Sequence, residues 1–403
     1  MKKNIFIKNK IPKNSINQKI FTKFLKNYNK TLLKITKSIE EPDKTLNVLS
    51  QNFKINFKKK DLLQFKRFNT IVLIGMGGSI LGSQAIYEFL KHKIKKKVIF
   101  FDNLSIEKIS SLKKKINIKK TVFIIISKSG ETVETLSNMF SMNFIKRSSN
   151  NIIVISEKNN FLYSLSKKFD LLHFEHKNHI GGRYSVLSEV GLIPAYLMGI
   201  DIKKIRKNLL KHIRTSQKFI LRESTIKIAS IIQTKNLSNL VFLNYSSKLD
   251  KLLYWCQQLI AESLGKKNKG LFPIISSVPK DHHSLLQLYL DGPKNSLFCF
   301  FSNDQKSNIK VNLKLNHNKF KFLQNKKISS IKSAQKEALK KIFSFKKIPF
   351  REFKVNNMNE ETLGEIFSYF ILETVLIGEL VKINPFNQPA VEKVKLLTKN
   401  ILS

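Results

Sequence analysis

Short apolar runs rich in β-branched residues alternate with longer segments of helical apolar spacing in the first half of the chain. The first run, residues 70–74, ends in Gly75, and apolar residues recur at helical spacing over residues 80–90. Further apolar runs lie at 98–101, 122–126 and 152–155. Uninterrupted apolar strands that alternate with helices are typical of a parallel sheet covered on both faces. The pattern therefore predicts an α/β domain.

A second block of the same kind begins after Asp201. Apolar strands are predicted at residues 240–243 and 297–301, with a helical stretch over 248–264 between them. This block reads as another α/β layer, so the two halves of the chain share one architecture.

The C-terminal part of the chain is predicted to be helical. One long helix covers residues 360–382 and stops near Pro385, and a short one covers residues 389–402. Because 403 residues exceed what one hydrophobic core usually supports, two domains are expected. The predicted units are an N-terminal helical extension (1–68), a first domain (69–200), a second domain (201–358) and C-terminal helices (359–403).

The cysteines and the apolar stretches indicate the cellular compartment of the protein. Cys256 and Cys299 lie far apart in apolar contexts and lack zinc-ligand spacing, which favours reduced, buried thiols. The basic N-terminus has one apolar cluster, residues 5–7, which is too short for a secretory signal. The longest apolar stretch contains Glu373 and Glu379, so a core helix is favoured over a membrane span. We expect a soluble cytoplasmic protein.

Composition adds a competing hypothesis. The net charge of +45, from 73 Lys+Arg against 28 Asp+Glu, is typical of nucleic-acid-binding proteins. The lysines are spread along the whole chain and mixed with asparagine and isoleucine, however, and do not form one basic arm. Dedicated nucleic-acid binding is therefore the less favoured reading, and long-range attraction of anionic substrates is the milder consequence.

The turn after the first strand is rich in glycine. Residues 75–79 read Gly-Met-Gly-Gly-Ser and open a helix, which lets backbone N–H groups and the Ser79 hydroxyl approach an anion. The turn lacks the spacing of a dinucleotide fingerprint and has no Gly-Lys-Ser/Thr sequence, so neither nucleotide site is favoured. A merely tight strand-to-helix turn explains the glycines equally well.

A second polar turn follows the strand at 122–126. Ser127, Ser129 and Thr132 bring three hydroxyls to the start of a helix, which suits a phosphate monoester bound without metal. A helix cap built from Ser129 and Thr132 is the alternative, but a cap needs only one hydroxyl.

These two turns resemble the phosphate-binding segments of sugar isomerase (SIS) domains. Residues 181–185, Gly-Gly-Arg-Tyr-Ser, resemble a segment specific to the phosphoglucose isomerase family. Three more segments match that family in its order: 262–266, 281–287 and 384–392. The resemblance extends from about residue 70 to the C-terminus.

The resemblance implies an α/β protein with two SIS-type domains, each a parallel sheet flanked by helices, and a site in the cleft between them. It implies an aldose–ketose isomerase that interconverts glucose 6-phosphate and fructose 6-phosphate, in glycolysis and gluconeogenesis, without a cofactor. A homodimer is implied, in which the ring-opening histidine crosses the interface. The implied phosphate-binding residues are Ser79, Ser127, Lys128, Ser129 and Thr132, and Gly78 and Gln388 are implied to bind the rest of the substrate.

Such a reaction needs a base that moves a proton between C2 and C1, a group that opens the ring, and positive charge near the enediolate. Glu262 is the candidate base. It ends an apolar helix, where the carboxylate would be partly buried. Without the resemblance, an exposed glutamate at a helix end is the more common reading.

His283 is the candidate ring-opening group, because an imidazole exchanges protons near neutral pH. Its neighbour His282 is a confounder, but the spacing to Gln287 in the family segment favours the second histidine. The remaining histidines lie outside the motifs; they are His92, His173, His176, His179, His212 and His317. Three of them recur every third residue from His173, yet no carboxylate completes a metal site there.

Two cations complete the catalytic set. Arg183 would hold a fixed positive charge against the enediolate, which a permanently ionised guanidinium does well. Lys395 resembles the C-terminal lysine that assists at the ring oxygen. Without the motifs, a surface arginine and a solvated lysine are the more common readings. One departure stands out, since Asn387 occupies a position where aspartate is common in the family, although asparagine keeps one acceptor.

Three alternatives stay open beside the isomerase. One is a related enzyme that accepts mannose or hexosamine phosphates, because the motifs do not report specificity at C2. Another is a sugar-phosphate-binding regulator, which would need the hydroxyl turns but not Glu262, His283 and Arg183 together. The third is the basic nucleic-acid-binding protein, which predicts clustered charge and salt-dependent affinity.

Overall fold

One parallel and one mostly parallel sheet organise the chain. The structure, a computed structural model, describes residues 4–303, 308–313 and 318–402. Within these ranges each sheet has five strands. The strands are β1 (Ile5–Lys10), β2 (Thr70–Gly75), β3 (Lys97–Phe101), β4 (Thr121–Ile126), β5 (Ile152–Ser156), β6 (Leu172–Glu175), β7 (Asn239–Asn244), β8 (Phe272–Ser277), β9 (Ser296–Asn303) and β10 (Phe350–Val355).

Helices cover both faces of the sheets, as the predicted α/β class requires. They are α1 (Gln18–Glu40), α2 (Leu81–Leu90), α3 (Ile106–Lys115), α4 (Val133–Ser141), α5 (Phe161–Lys168), α6 (Glu189–Leu197), α7 (Ile202–Ile205), α8 (Lys211–Arg214), α9 (Lys218–Thr234), α10 (Asp250–Leu264), α11 (Leu286–Asp291), α12 (Ile328–Phe345), α13 (Glu360–Leu380) and α14 (Glu392–Leu402).

The first sheet has the strand order β3-β2-β4-β5-β6, and its strands pair in parallel. The chain leaves β2 toward β3 on one side and returns to β4 on the other, so the strand order reverses between β2 and β4. Ligands of open α/β sheets bind at such a reversal, at the carboxyl ends of the strands. Gly75 and Ile126 are register partners there, which brings the two predicted phosphate-binding turns to one edge.

The second sheet has the order β1-β10-β9-β7-β8, and β1 pairs antiparallel with β10. This strand corrects the prediction that residues 1–68 are a helical extension. Ile5 and Ile7 are buried while Phe6 and Lys8 are exposed, a period of two that suits a strand with one covered face. The partner strand lies some 345 residues away in sequence, with Ile5 opposite Val355. Only the long helix α1 and short helical turns fulfil the helical expectation.

A single large core joins the two sheets. Alternate residues of β2 divide between two clusters: Ile71 and Leu73 face the large core, and Val72 and Ile74 face the opposite side of the sheet. The large core continues through α10 and α13 to the second sheet, and α10 packs against α2. Both faces of the first sheet are therefore covered, as the uninterrupted apolar strands predicted.

The predicted core helix is confirmed in α13, which is buried along nearly its whole length. Its Glu373 carboxylate pairs with Arg351, Nη2 to Oε1 at 2.6 Å, so the buried charge is compensated. Among the described residues, no helix combines the length and the apolar character that crossing a membrane requires.

Both cysteines are buried and carry free thiols. Burial raises the pKa of Cys299 to about 12 and that of Cys256 well above its usual value. Since the thiolate is the reactive form, these side chains act as small apolar core residues.

Candidate active site

The hydroxyls of the second turn are paired with each other. Ser127 is buried, and its Oγ lies 2.9 Å from Thr132 Oγ1. Thr132 is the N-cap residue of α4, yet its side chain makes no capping hydrogen bond. Capping alone therefore does not account for Thr132. Gly75 and Ile126 are register neighbours, so Ser79, in the short helix Gly77–Ser79 after β2, leaves the same edge of the sheet.

Other members of this turn have local partners. Ser129 Oγ accepts a hydrogen bond from the Glu131 backbone N–H at 3.4 Å. The Lys128 ammonium donates a hydrogen bond to the Asn178 carbonyl at 2.8 Å, and its Nζ lies 3.6 Å from Glu157 Oε1. These two partners hold the Lys128 ammonium at the edge of the first sheet. The serines and Thr132 are the groups that remain as anion donors at this turn.

The glycine turn is held against the segment that carries Arg183. A Cβ on Gly78 would lie 2.2 Å from the Gly182 carbonyl carbon and 2.7 Å from the Arg183 backbone nitrogen. A glycine is therefore required at position 78, because any side chain would collide with backbone. This approach fixes the short helix Gly182–Leu187 beside the first turn.

Arg183 is almost fully buried and uses its whole guanidinium. Its five acceptors are Ser263 Oγ at 2.8 Å, Glu262 Oε2 at 3.2 Å, Gln388 Oε1 at 2.8 Å, the Pro385 carbonyl at 2.5 Å and the Asn387 carbonyl at 3.1 Å. A guanidinium has five N–H donors, so every donor has a partner. The structure thus brings together three sequence-predicted residues: Arg183, Glu262 and Gln388.

The Glu262 carboxylate lies in the last turn of α10 and is partly exposed. One oxygen contacts Arg183, and the other accepts a hydrogen bond from Gln258 Nε2 at 3.0 Å. Sequence reasoning missed Gln258. Its position four residues before Glu262 places both side chains on one face of a helix, and that spacing is a signal the sequence carries.

Lys266 was also missed, although it ends the Glu-Ser-Leu-Gly-Lys segment. Its ammonium donates to the Asn384 carbonyl at 2.5 Å, to the Asn387 carbonyl at 2.7 Å and to Asn387 Oδ1 at 3.3 Å. Burial and the nearby Arg183 lower the pKa of Lys266 to about 8, and Glu262 opposes that shift. The Asn387 side chain is thus an acceptor in this structure, through its Oδ1.

Tyr184 and Ser263 are buried residues that hydrogen-bond to Arg183 or to its partners. The Tyr184 hydroxyl donates to the Pro385 carbonyl at 2.8 Å and lies 2.8 Å from Ser263 Oγ. Burial raises the pKa of Tyr184, so the phenol stays protonated and available as a donor. These buried polar groups satisfy one another, which makes the support specific in geometry.

The two neighbouring histidines have different surroundings. His282 is partly buried, and its Nε2 lies 3.1 Å from the Tyr245 hydroxyl. Burial lowers the pKa of His282. His283 ends the short helix Lys280–His283 after β8 and is exposed. Within the described residues, His283 lies outside the hydrogen-bond network of Arg183, which the motif alone could not indicate.

The structure does not bring Lys395 to the Arg183 network either. Lys395 is exposed on α14, where its ammonium pairs with Glu392 Oε1 at 2.8 Å. The same helix reaches the predicted phosphate-binding turn through Lys399, whose Nζ lies 2.8 Å from Glu131 Oε2. α14 therefore contacts the predicted turn through Lys399, while Lys395 is paired with Glu392 on its exposed surface.

His173 and His176 belong to the set of histidines that recurs at every third residue, and both contact neighbouring residues of the chain. His173 Nε2 lies 3.0 Å from Ser156 Oγ, and burial lowers the pKa of His176 to about 4. In the part of the chain that the structure describes, no group of three His, Cys, Asp or Glu side chains is placed to hold a metal ion. His317 lies outside the described residues.

Comparison with known proteins places this chain in a family. The family model for phosphoglucose isomerase matches residues 36–403. A relative from Methanococcus maripaludis, described as a probable glucose-6-phosphate isomerase, is 30% identical over 400 residues, covering 94% of this chain and 90% of its own length.

Solved structures share the fold. A hypothetical protein from Thermus thermophilus matches with a TM-score of 0.82 at 23% identity, over 99% of this chain and 100% of that one. A glucose-6-phosphate isomerase from Chlamydia trachomatis matches with a TM-score of 0.71 at 18% identity, over 92% of this chain and 74% of that one. From the family match and the 30% identical relative, the chain belongs to the phosphoglucose isomerase family.

Proposed function

We propose that this chain interconverts glucose 6-phosphate and fructose 6-phosphate, by ring opening followed by proton transfer through a cis-enediolate. Family membership supports the reaction. The observation that carries the mechanism is the contact of one Arg183 nitrogen with both Glu262 and Gln388, since it joins a base, a fixed charge and a polar group at one point.

Glu262 is the base that takes the proton from C2 and returns it to C1. Arg183 stabilises the negative charge that develops on the sugar oxygens, because it is permanently ionised and buried. All five guanidinium donors are occupied in this structure, so a sugar oxygen must replace a partner. The contacts to Glu262 and Gln388 are the exchangeable ones, because they involve exposed or partly exposed side chains, whereas the others involve backbone carbonyls or the buried Ser263 hydroxyl.

The phosphate is held by hydroxyls at the edge of the first sheet. Ser127, Ser129 and Thr132 lead into α4, whose first backbone N–H groups also favour an anion, and Ser79 leaves the same edge of the sheet. Lys128 contributes only long-range attraction in this proposal, because Asn178 and Glu157 hold its ammonium.

His283 opens the ring from a second copy of the chain. The exposure of His283 and its place outside the Arg183 hydrogen-bond network support this arrangement. Lys395 assists at the ring oxygen, and its exposure on α14 leaves its ammonium accessible to a substrate. The reaction belongs to glycolysis and gluconeogenesis, and we place it in the cytoplasm, where buried free thiols stay reduced.

A coupled assay for conversion of fructose 6-phosphate to glucose 6-phosphate tests the proposal, with mannose 6-phosphate as a parallel substrate. We expect conversion of fructose 6-phosphate to glucose 6-phosphate and of glucose 6-phosphate to fructose 6-phosphate. Conversion of mannose 6-phosphate alone would assign the related specificity at C2, and binding without turnover would assign a regulator.

A further inference from the structure

We propose that Lys266 is a positioning residue: it holds the segment 384–388 in place and thereby keeps Arg183 and Gln388 beside Glu262. This inference rests on the proposed isomerase function. It adds a residue that does not contact the reacting atoms and acts through the segment that does.

The segment 384–388 has no regular structure of its own. The carbonyls of Asn384, Pro385 and Asn387 are instead bound by side chains from elsewhere in the chain. The bonds from Lys266 and Arg183 are charge-assisted, which makes them roughly twice as strong as neutral ones. The conformation of the segment therefore depends on two cations and on Tyr184.

Lys266 and Arg183 share one acceptor. The Asn387 carbonyl accepts from Lys266 Nζ at 2.7 Å and from Arg183 Nη2 at 3.1 Å. The next residue, Gln388, binds Arg183 Nη1 at 2.8 Å, the same nitrogen that contacts Glu262. A shift of Asn387 would thus move both Gln388 and the guanidinium relative to the base. A small misplacement of this kind can lower a rate by about a hundredfold.

The protonated, ammonium form of Lys266 is the one that can donate to all three of its acceptor oxygens. Lys266 has three donors for three oxygens, and loss of a proton leaves two donors and a lone pair facing a carbonyl. With its pKa lowered to about 8, the side chain loses the proton just above neutral pH. Arg183 and Glu262 are the charged groups that face it, and Lys235, Lys267 and Lys269 line the same surface depression of roughly 810 Å³. The segment should loosen as the pH rises through 8.

The test compares Lys266→Met and Lys266→Arg with a matched control, Lys267→Met, which removes an equal charge from the adjacent exposed position. The readouts are kcat and KM for fructose 6-phosphate between pH 6 and 10. We expect Lys266→Met to lower kcat by about tenfold or more with a smaller change in KM. The control should keep wild-type values.

The pH profile separates positioning from a purely structural role. In the wild type, kcat/KM should fall above about pH 8; this limb reports groups of the free enzyme. Lys266→Arg stays charged to a higher pH and should move the limb upward. An unchanged limb in Lys266→Arg, or wild-type kcat in Lys266→Met, would overturn the proposal.

Hydrogen exchange supplies a readout that needs no activity. Amides of residues 384–390 should exchange faster in Lys266→Met than in Lys267→Met, and faster in the wild type above pH 8 after correction for intrinsic rates. Equal protection in the two variants would contradict the proposal even if the wild type proved inactive. An inactive wild type with the expected exchange difference would instead contradict the isomerase function.

Discussion

At the scale of single residues, Arg183 governs the candidate site. Its five hydrogen bonds join α10 to the C-terminal segment, so one buried guanidinium sets the distance between Glu262 and Gln388. Breaking a buried charged network costs more than breaking an exposed pair, because the remaining partners lose their compensation. Substitutions at Arg183 would therefore mix catalytic and structural effects, and other residues make cleaner tests.

Thr132 is such a residue, because its hydroxyl pairs with Ser127 and makes no helix cap. Thr132→Ala should raise KM more than it lowers kcat, since the phosphate is bound in the ground state and the transition state alike. Steady-state kinetics with fructose 6-phosphate measure both constants. Thr22→Ala, at an exposed position of α1, is the control and should leave them unchanged. An unaltered KM in Thr132→Ala would move the phosphate elsewhere.

At the scale of elements, the site depends on how the turn after β2 meets the short helix Gly182–Leu187. Neither segment alone reveals this contact, because the two lie about a hundred residues apart. The strand–turn–helix units at Gly75 and Ser127 are local and were predicted from sequence. The close approach of Gly78 to Gly182 is a tertiary contact, and the strand β1 is likewise invisible until its distant partner β10 is known.

Gly78→Ala tests the packing of these two elements. The added Cβ would collide with backbone atoms of Gly182 and Arg183, so we expect a loss of about 1–3 kcal/mol in the free energy of unfolding. Because Arg183 must shift, kcat should fall by about tenfold or more. Gly182→Ala is the matched control, since its Cβ would meet Gly78 Cα only at 3.8 Å. Thermal unfolding and kinetics should show the larger loss in Gly78→Ala, and equal losses would contradict this packing.

At the scale of the whole molecule, the positions of the candidate catalytic residues suggest that two copies of the chain contribute to each site. Arg183, Glu262 and Gln388 form one hydrogen-bonded group, whereas His283 follows β8, an edge strand of the second sheet, and is exposed. The sequence motifs identified all of these residues, but the order of motifs along a chain does not say which copy each one serves. The scattered positive charge acts at this scale too, by attracting anionic sugar phosphates.

Mixing two inactive variants tests the shared site. The Glu262→Gln and His283→Ala variants, unfolded and refolded together, should regain about a quarter of wild-type activity if the protein is the proposed dimer, because half of the dimers would be mixed and one of their two sites would be intact. If each subunit used its own histidine, every site would keep one defect and the mixture would stay inactive. Size-exclusion chromatography checks that dimers have formed again.

The role of Glu262 is the central claim, and solvent exchange at C2 tests it most directly. Glu262→Gln keeps the shape and a hydrogen-bonding group near Arg183 but removes the base, so we expect kcat to fall by about a thousandfold or more while sugar phosphate still binds. In deuterated water, the wild-type protein should incorporate deuterium at C2 of glucose 6-phosphate formed from fructose 6-phosphate, as NMR or mass spectrometry would detect. Glu262→Gln should incorporate almost none over the same period. Exchange at C2 by this variant at nearly the wild-type rate would show that another group is the base and would contradict the mechanism.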